Sequence, residues 1–110
     1  MSMALSSSYT EYILEQLAES GSIRSRKMFG GLGIYVDEVF CAIVSSSNRF
    51  YLRVGPQNID EFKKEGMTQF SGRGGVGMPY YEVPDHVPED SDLLSEWVTK
   101  AREEAIGSKK

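Results

Sequence analysis

Apolar residues recur at Tyr9, Ile13 and Leu17, one face of a helical period, and Ser8 with Glu11 three residues later is a capping box that starts such a helix. Ser20-Gly21 stops it. After a polar stretch from Ser22 to Lys27 the pattern changes. In "FGGLGIYVDEVFCAIVSSSNRFYLRV" β-branched and aromatic residues alternate between turn-like breaks, which predicts three antiparallel strands. A two-residue turn at Asp37-Glu38 pairs Val36 with Val39, Tyr35 with Phe40 and Ile34 with Cys41. A four-residue turn from Ser45 to Asn48 then pairs Val44 with Arg49, Cys41 with Leu52 and Phe40 with Arg53. In this register Leu32, Ile34, Val36, Val39, Cys41, Ile43, Phe50, Leu52 and Val54 form the inner face. Tyr35, Phe40, Ala42, Val44, Arg49, Tyr51 and Arg53 form the outer one, and a slip by one residue exchanges the two sets.

The remaining pattern is short-range. "GPQNIDEFKKEG" carries Pro56 in a first turn, Ile59 and Phe62 three apart and Gly66 as a stop, and reads as a short helix. "MTQF" and "MPYYEV" read as two further strands around a glycine loop. Leu93, Leu94, Trp97, Val98, Ala101 and Ala105 make a broad apolar stripe on a C-terminal helix. The expected fold is therefore α+β and two-layered, with an antiparallel sheet of about five strands and helices on one face. One domain spans residues 1–110, its core at about 8–106, with short flexible ends; no repeat or linker divides it.

Composition narrows the function classes. Hydrophobic content of 40% and charged content of 25% suit a globular domain, and no apolar run is long enough for a bilayer. The N-terminal residues lack a basic and apolar leader pattern, so a cytoplasmic location is expected, with no membrane attachment. Cys41 is the single cysteine and His86 the single histidine, which leaves no multi-cysteine zinc site and no His-rich metal site. Cys41 is expected as a small buried hydrophobe. A net charge of -4 argues against direct nucleic-acid binding. The acid-rich stretch Glu82 to Glu96 reads as a solvated loop entering a helix N-terminus, since it lacks calcium-loop spacing.

Gly72, Gly74 and Gly77 spell G-x-G-x-x-G. A dinucleotide site needs a strand before these glycines, a helix after them and an acidic residue further on, whereas a Pro-containing strand follows here. A kinase-type glycine loop needs a lysine on the following strand, and "MPYYEVPD" has none. With 11 glycines in 110 residues, roughly 0.1 chance matches to this spacing are expected. A flexible hairpin is the simpler reading. A small enzyme or a phosphate- or small-ligand-binding protein using the hairpin Gly72–Gly77 is the alternative.

"RKMFGGLGIYVDEVFCAIV", "RFYLRV", "FKKEGMTQF", "MPYYEVP" and "LLSEWVTKA" together resemble the N-terminal domain of TfoX (Sxy), the bacterial competence regulator, from about Ser8 to Ala105. The most specific positions are Arg26, Met28, Phe29, Gly30, Gly31, Tyr35, Tyr80, Tyr81, Val83, Pro84 and Trp97. The resemblance implies a two-layer α+β fold similar to secretion-chaperone-like domains, and a role in transcriptional control of competence genes alongside the cAMP receptor protein. It implies no catalytic residues and no cofactor. Full-length competence regulators carry a second, C-terminal domain resembling a helix-hairpin-helix unit, so a copy without that domain is expected here. The turn Asp37-Glu38 also departs from the family, which often has glycine in second place.

The candidate surface follows from the outer face. Tyr35, Phe40 and Arg53 form a cross-strand row beside Tyr51, too apolar for simple exposure. Three occupants remain open: a helix or loop of the same chain, a protein partner or second copy, and single-stranded nucleic acid stacked on Tyr35 and Tyr51. Arg24, Arg26 and Lys27 in "SIRSRKMFGG" make a basic patch suited to a phosphate, to an acidic partner segment or simply to solvent, with Met28 and Phe29 anchoring the turn in the core. Asp85-His86 and Tyr80-Tyr81-Glu82 are the only clusters with catalytic residue types, and adjacent residues rarely face one site. The expected function is a non-enzymatic regulatory module that binds protein, with the transcription machinery as the partner class the resemblance implies and a homodimer as the other.

Overall fold

The structure, a computed structural model, describes residues 7–28, 30–71 and 77–107. Helix α1 (Ser7–Leu17) runs into a 3-10 turn (Ala18–Ser20). Strands β1 (Ile23–Met28), β2 (Gly31–Val36), β3 (Val39–Val44) and β4 (Phe50–Arg53) follow, then helix α2 (Ile59–Lys64), strands β5 (Gln69–Ser71) and β6 (Gly77–Glu82), and helix α3 (Ser91–Gly107). All six strands form one antiparallel sheet in the order β1-β2-β3-β4-β6-β5. The architecture is α+β, as the sequence pattern predicts, with one strand more than expected: the polar run from Ser22 contains β1.

Two register differences change which residues face the core. At the first hairpin Val36 pairs with Val39 and Tyr35 with Phe40, as expected, but Ile34 then pairs with Ala42 and not with Cys41. A β-bulge takes up the extra residue, and beyond it the remaining side chains of β3 change face. Ala42 and Val44 therefore join Cys41 in the core, whereas Ile43 moves to the opposite face. At the second hairpin Val44 pairs with Phe50, Ile43 with Tyr51 and Ala42 with Leu52. Asn48 adopts φ 62°, its N–H donates to the Ser45 carbonyl, and Ser45 N–H donates to the Arg49 carbonyl. The loop thus closes one residue tighter than the four-residue turn, around a left-handed Asn.

The first turn is of the left-handed type, with Asp37 at φ 48° and Glu38 at φ 68°. Glu38 holds this uncommon conformation while its carboxylate pairs with Arg24 at 2.8 Å. Asp37 ties the turn to β1, since its side chain accepts from Ser22 N–H at 2.9 Å and its own N–H donates to the Ser22 carbonyl at 2.8 Å.

The three helices share one face of the sheet. Ile13 and Leu17 of α1, Phe62 of α2, and Leu94, Trp97, Val98, Ala101 and Ala105 of α3 pack with Leu32, Ile34, Val36, Cys41, Ala42, Val44, Phe50, Leu52 and Val54. Asp90 caps α3 by accepting from Asp92 N–H and Leu93 N–H, both at 3.1 Å, so part of the acid-rich stretch serves a helix N-terminus. Among the described residues no helix is long and apolar enough to cross a membrane.

Cys41 is fully buried, and burial pushes its thiol up to about 12. Burial likewise raises the Tyr9 and Tyr80 phenols to about 12. Above the ordinary values of these groups the unfolded chain releases protons that the folded chain keeps, so stability must fall as the solution becomes more alkaline. The urea midpoint is expected to drop steadily from about pH 9 toward pH 12. A midpoint that stays flat across that window would contradict the burial of these groups.

Candidate interaction surface

The sheet face away from the helices carries a second, smaller apolar cluster of Ile43, Tyr51, Phe70 and Tyr80, with Phe40 and Met78 packed against it. All of these residues come from strands, and no described helix covers them. Register explains their assembly. Tyr35 and Phe40 are paired neighbours next to the turn, before the bulge intervenes, and their ring centroids lie 5.4 Å apart. Tyr80 reaches in from β6, with its ring 5.5 Å from that of Phe40.

Two guanidinium groups join this run, one at its β1 end and one on β4, between the strands of Phe40 and Tyr80. Arg24, opposite Tyr35 in the ladder, stacks at 4.5 Å from the Tyr35 ring, and Arg53, opposite Tyr80, lies 5.9 Å from the Tyr80 ring. By strand the order across the sheet is therefore Arg24, Tyr35, Phe40, Arg53, Tyr80, with the Tyr80 ring reaching across β4 to Phe40. Such contacts of cation and ring contribute about 0.5–1 kcal/mol where exposed and more where water is excluded. Tyr35, Phe40 and Arg53 are half-buried, whereas Tyr80 retains only 3% of its exposure. Gly33 lets the row close up: a Cβ there would lie 2.5 Å from Met28 Sδ and 3.0 Å from the Phe40 ring.

The other candidate residues lie outside this row. Tyr51 is buried, its ring 4.9 Å from Phe70, and offers little surface for stacking a base. Arg26 pairs with Gly33 on the exposed strand β1, while Lys27 pairs with the core residue Leu32 and so projects on the helix side. Met28 packs over Gly33 beside Phe40, not in the main core as expected; Phe29 and the hairpin positions 72–76, which hold most of the glycine motif, lie outside the described residues. A strand, β6, and not a helix follows that hairpin.

Residues with catalytic chemistry are dispersed. Tyr80 faces the helix-free side, Tyr81 packs near Phe62 on the helix side with ring centroids 6.2 Å apart, and Glu82 pairs with Arg49 at 3.0 Å. His86 stands 3.4 Å from Glu65, both well exposed. Among the described residues no three of His, Cys, Asp and Glu converge on a point that could hold a metal ion.

Arg53 has no ion-pair partner among the described residues, and its Nε is buried without a hydrogen bond. It also lines a surface cleft of about 290 Å³ with Pro56, Gln57 and Glu104. The sequence pattern points to Tyr35, Phe40 and Arg53 but not to Tyr80, since nothing local says that β6 lies beside β4.

No curated protein matches the sequence. The family model of the TfoX N-terminal domain matches residues 15–105, from the last turn of α1 to the last buried turn of α3. It spans every strand of the sheet and both faces described above. The chain belongs to the TfoX N-terminal domain family.

Proposed function

We propose that this domain is a non-enzymatic protein-interaction module, that its contact surface is the helix-free face of the sheet, and that it serves in transcriptional regulation, as its family suggests. The supporting observation is the row Arg24, Tyr35, Phe40, Arg53, Tyr80 on a sheet whose other face carries all three helices. Aromatic rings and arginine are what the centres of protein interfaces enrich, because they present large rigid area and several donors at modest entropic cost. The rings largely cover one another, so the surface is stable without a partner. The Arg53 guanidinium hydrogen-bonds Tyr80 but has no carboxylate partner among the described residues, so a partner's carboxylate can pair with it.

Affinity capture from native lysate tests this reading with wild type, Arg53→Glu and Lys100→Glu, folds being matched by circular dichroism. Lys100 is exposed on α3, in the helical layer. Reversing a charge within a desolvated contact costs several kcal/mol, so Arg53→Glu should lose specifically retained proteins while Lys100→Glu keeps them. A fall in particle mass by light scattering on Arg53→Glu would identify the partner as a second copy. Equal retention by all three proteins would overturn the proposal.

A further inference from the structure

Strand β1 has one strand neighbour among the described residues, β2, and no strand on its other edge. In an antiparallel ladder successive residues turn their N–H and C=O groups to opposite sides. The bond from Asp37 N–H to the Ser22 carbonyl fixes the phase: Ser22, and with it Arg24, Arg26 and Met28, turn toward β2. Ile23, Ser25 and Lys27 therefore turn their backbone groups to the open edge. The side chains from Arg24 to Lys27 are all exposed and include three cations and no acid. Arg24 is engaged by Glu38 and Tyr35, whereas Arg26 and Lys27 have no ion-pair partner among the described residues.

The geometry points to β1 as the docking edge for an acidic, extended segment of a partner protein, which adds beside it as one more strand. Main-chain bonds to Ile23, Ser25 and Lys27 hold such a segment, and carboxylates opposite Arg24 and Arg26, which share a face, select it, with Lys27 adding attraction from the other face. Charge on an edge strand excludes most strands, and here it leaves one class admissible. A second copy is the wrong occupant. Self-pairing centred on Ser25 sets Arg24 directly opposite Arg26, a repulsive arrangement, and the chain's own acid-rich stretch is already folded into β6, a turn and α3. This edge is distinct from Arg53, three strands away on β4, so the two can fail separately.

Fluorescence anisotropy at low salt with an octapeptide of alternating Glu and Val tests the inference, using wild type, Arg26→Glu/Lys27→Glu and Ser25→Pro. Ser25→Pro removes an outward N–H without touching the bonds between β1 and β2, a position that edge strands accept. Both variants should retain the wild-type circular dichroism, and each should weaken binding about tenfold or more. The same peptide with alternate amides N-methylated should bind equally weakly. Four results would overturn the assignment: no binding of the acidic peptide to wild type, undiminished binding of the N-methylated peptide, undiminished binding to a folded Ser25→Pro, or tighter binding of an oligothymidylate of equal charge. The last would assign the cations to phosphate. Should Ser25→Pro fail to fold, the N-methylated peptide decides between strand addition and charge alone.

Discussion

Trp97→Ala should destabilise the domain by about 3–5 kcal/mol, the range for truncating a buried aromatic side chain. Trp97 retains 7% of its exposure, and its ring meets that of Phe62 at 4.7 Å and 64°, an edge-to-face contact between α3 and α2. Phe62 in turn meets Tyr81 of β6, so the indole ends a chain of three rings that fastens both helices to the sheet. Alanine would leave a cavity beside Phe62 in the main core, which its surroundings fill only in part. Domains of this size have a total stability of about 5–15 kcal/mol, so this variant should be largely unfolded at modest urea or near physiological temperature. Trp97→Phe, which keeps a ring against Phe62, should lose much less. A Trp97→Ala midpoint close to wild type would mean that α3 docks through another face.

Asn58→Ala should cost about 2–4 kcal/mol, because two backbone groups lose their partner and leaving each unsatisfied costs about 1–3 kcal/mol. Asn58 is 1% exposed, the one buried amide side chain among the described residues. Its Oδ1 accepts from Gly55 N–H at 2.8 Å and its Nδ2 donates to the Arg53 carbonyl at 3.0 Å. One side chain thereby welds the end of β4 to the entry of α2, a helix too short to persist unaided. Urea unfolding gives the magnitude, and hydrogen exchange should show Ile59–Lys64 opening before the sheet. A loss under about 0.5 kcal/mol would mean that water replaces the amide at this site.

Much of this molecule was legible in its hydrophobic pattern, and the parts that were not share a cause. The apolar periods of α1 and α3, and the turn at Asp37-Glu38, read directly because a polar face or a break flanks each of them. β1 has no such period: its side chains are exposed or half-exposed on both faces, as an edge strand permits, so Ile23–Met28 read as a connection. The bulge was equally hidden. Val39 to Val44 is an unbroken apolar run, and a run without alternation cannot say which residue is the extra one. That hid the exchange of Ala42 and Ile43 between faces, although Tyr35 and Phe40, on the turn side of the bulge, were placed correctly.

The same logic governs the surface. Arg53 emerged on the expected face although its register is displaced by one residue, because the bulge and the tighter second loop compensate each other. Tyr80 was beyond reach from local pattern, since its place depends on β6 inserting between β4 and β5. The Asn58 brace was also hidden, because a polar residue before a short helix ordinarily reads as a solvated cap.

If the helix-free face of the sheet meets a protein partner, as proposed, site-specific photocrosslinking from that face should capture it. Tyr35→p-benzoylphenylalanine places a reactive aromatic in the row where an aromatic already lies half-buried, and Lys100→p-benzoylphenylalanine places the same group on the helical layer. After irradiation in native cells a discrete protein adduct should form from position 35 and disappear when Arg53→Glu is added, and no adduct of that mass should form from position 100. An adduct from position 100 alone, or one from position 35 that survives Arg53→Glu unchanged, would contradict the proposal.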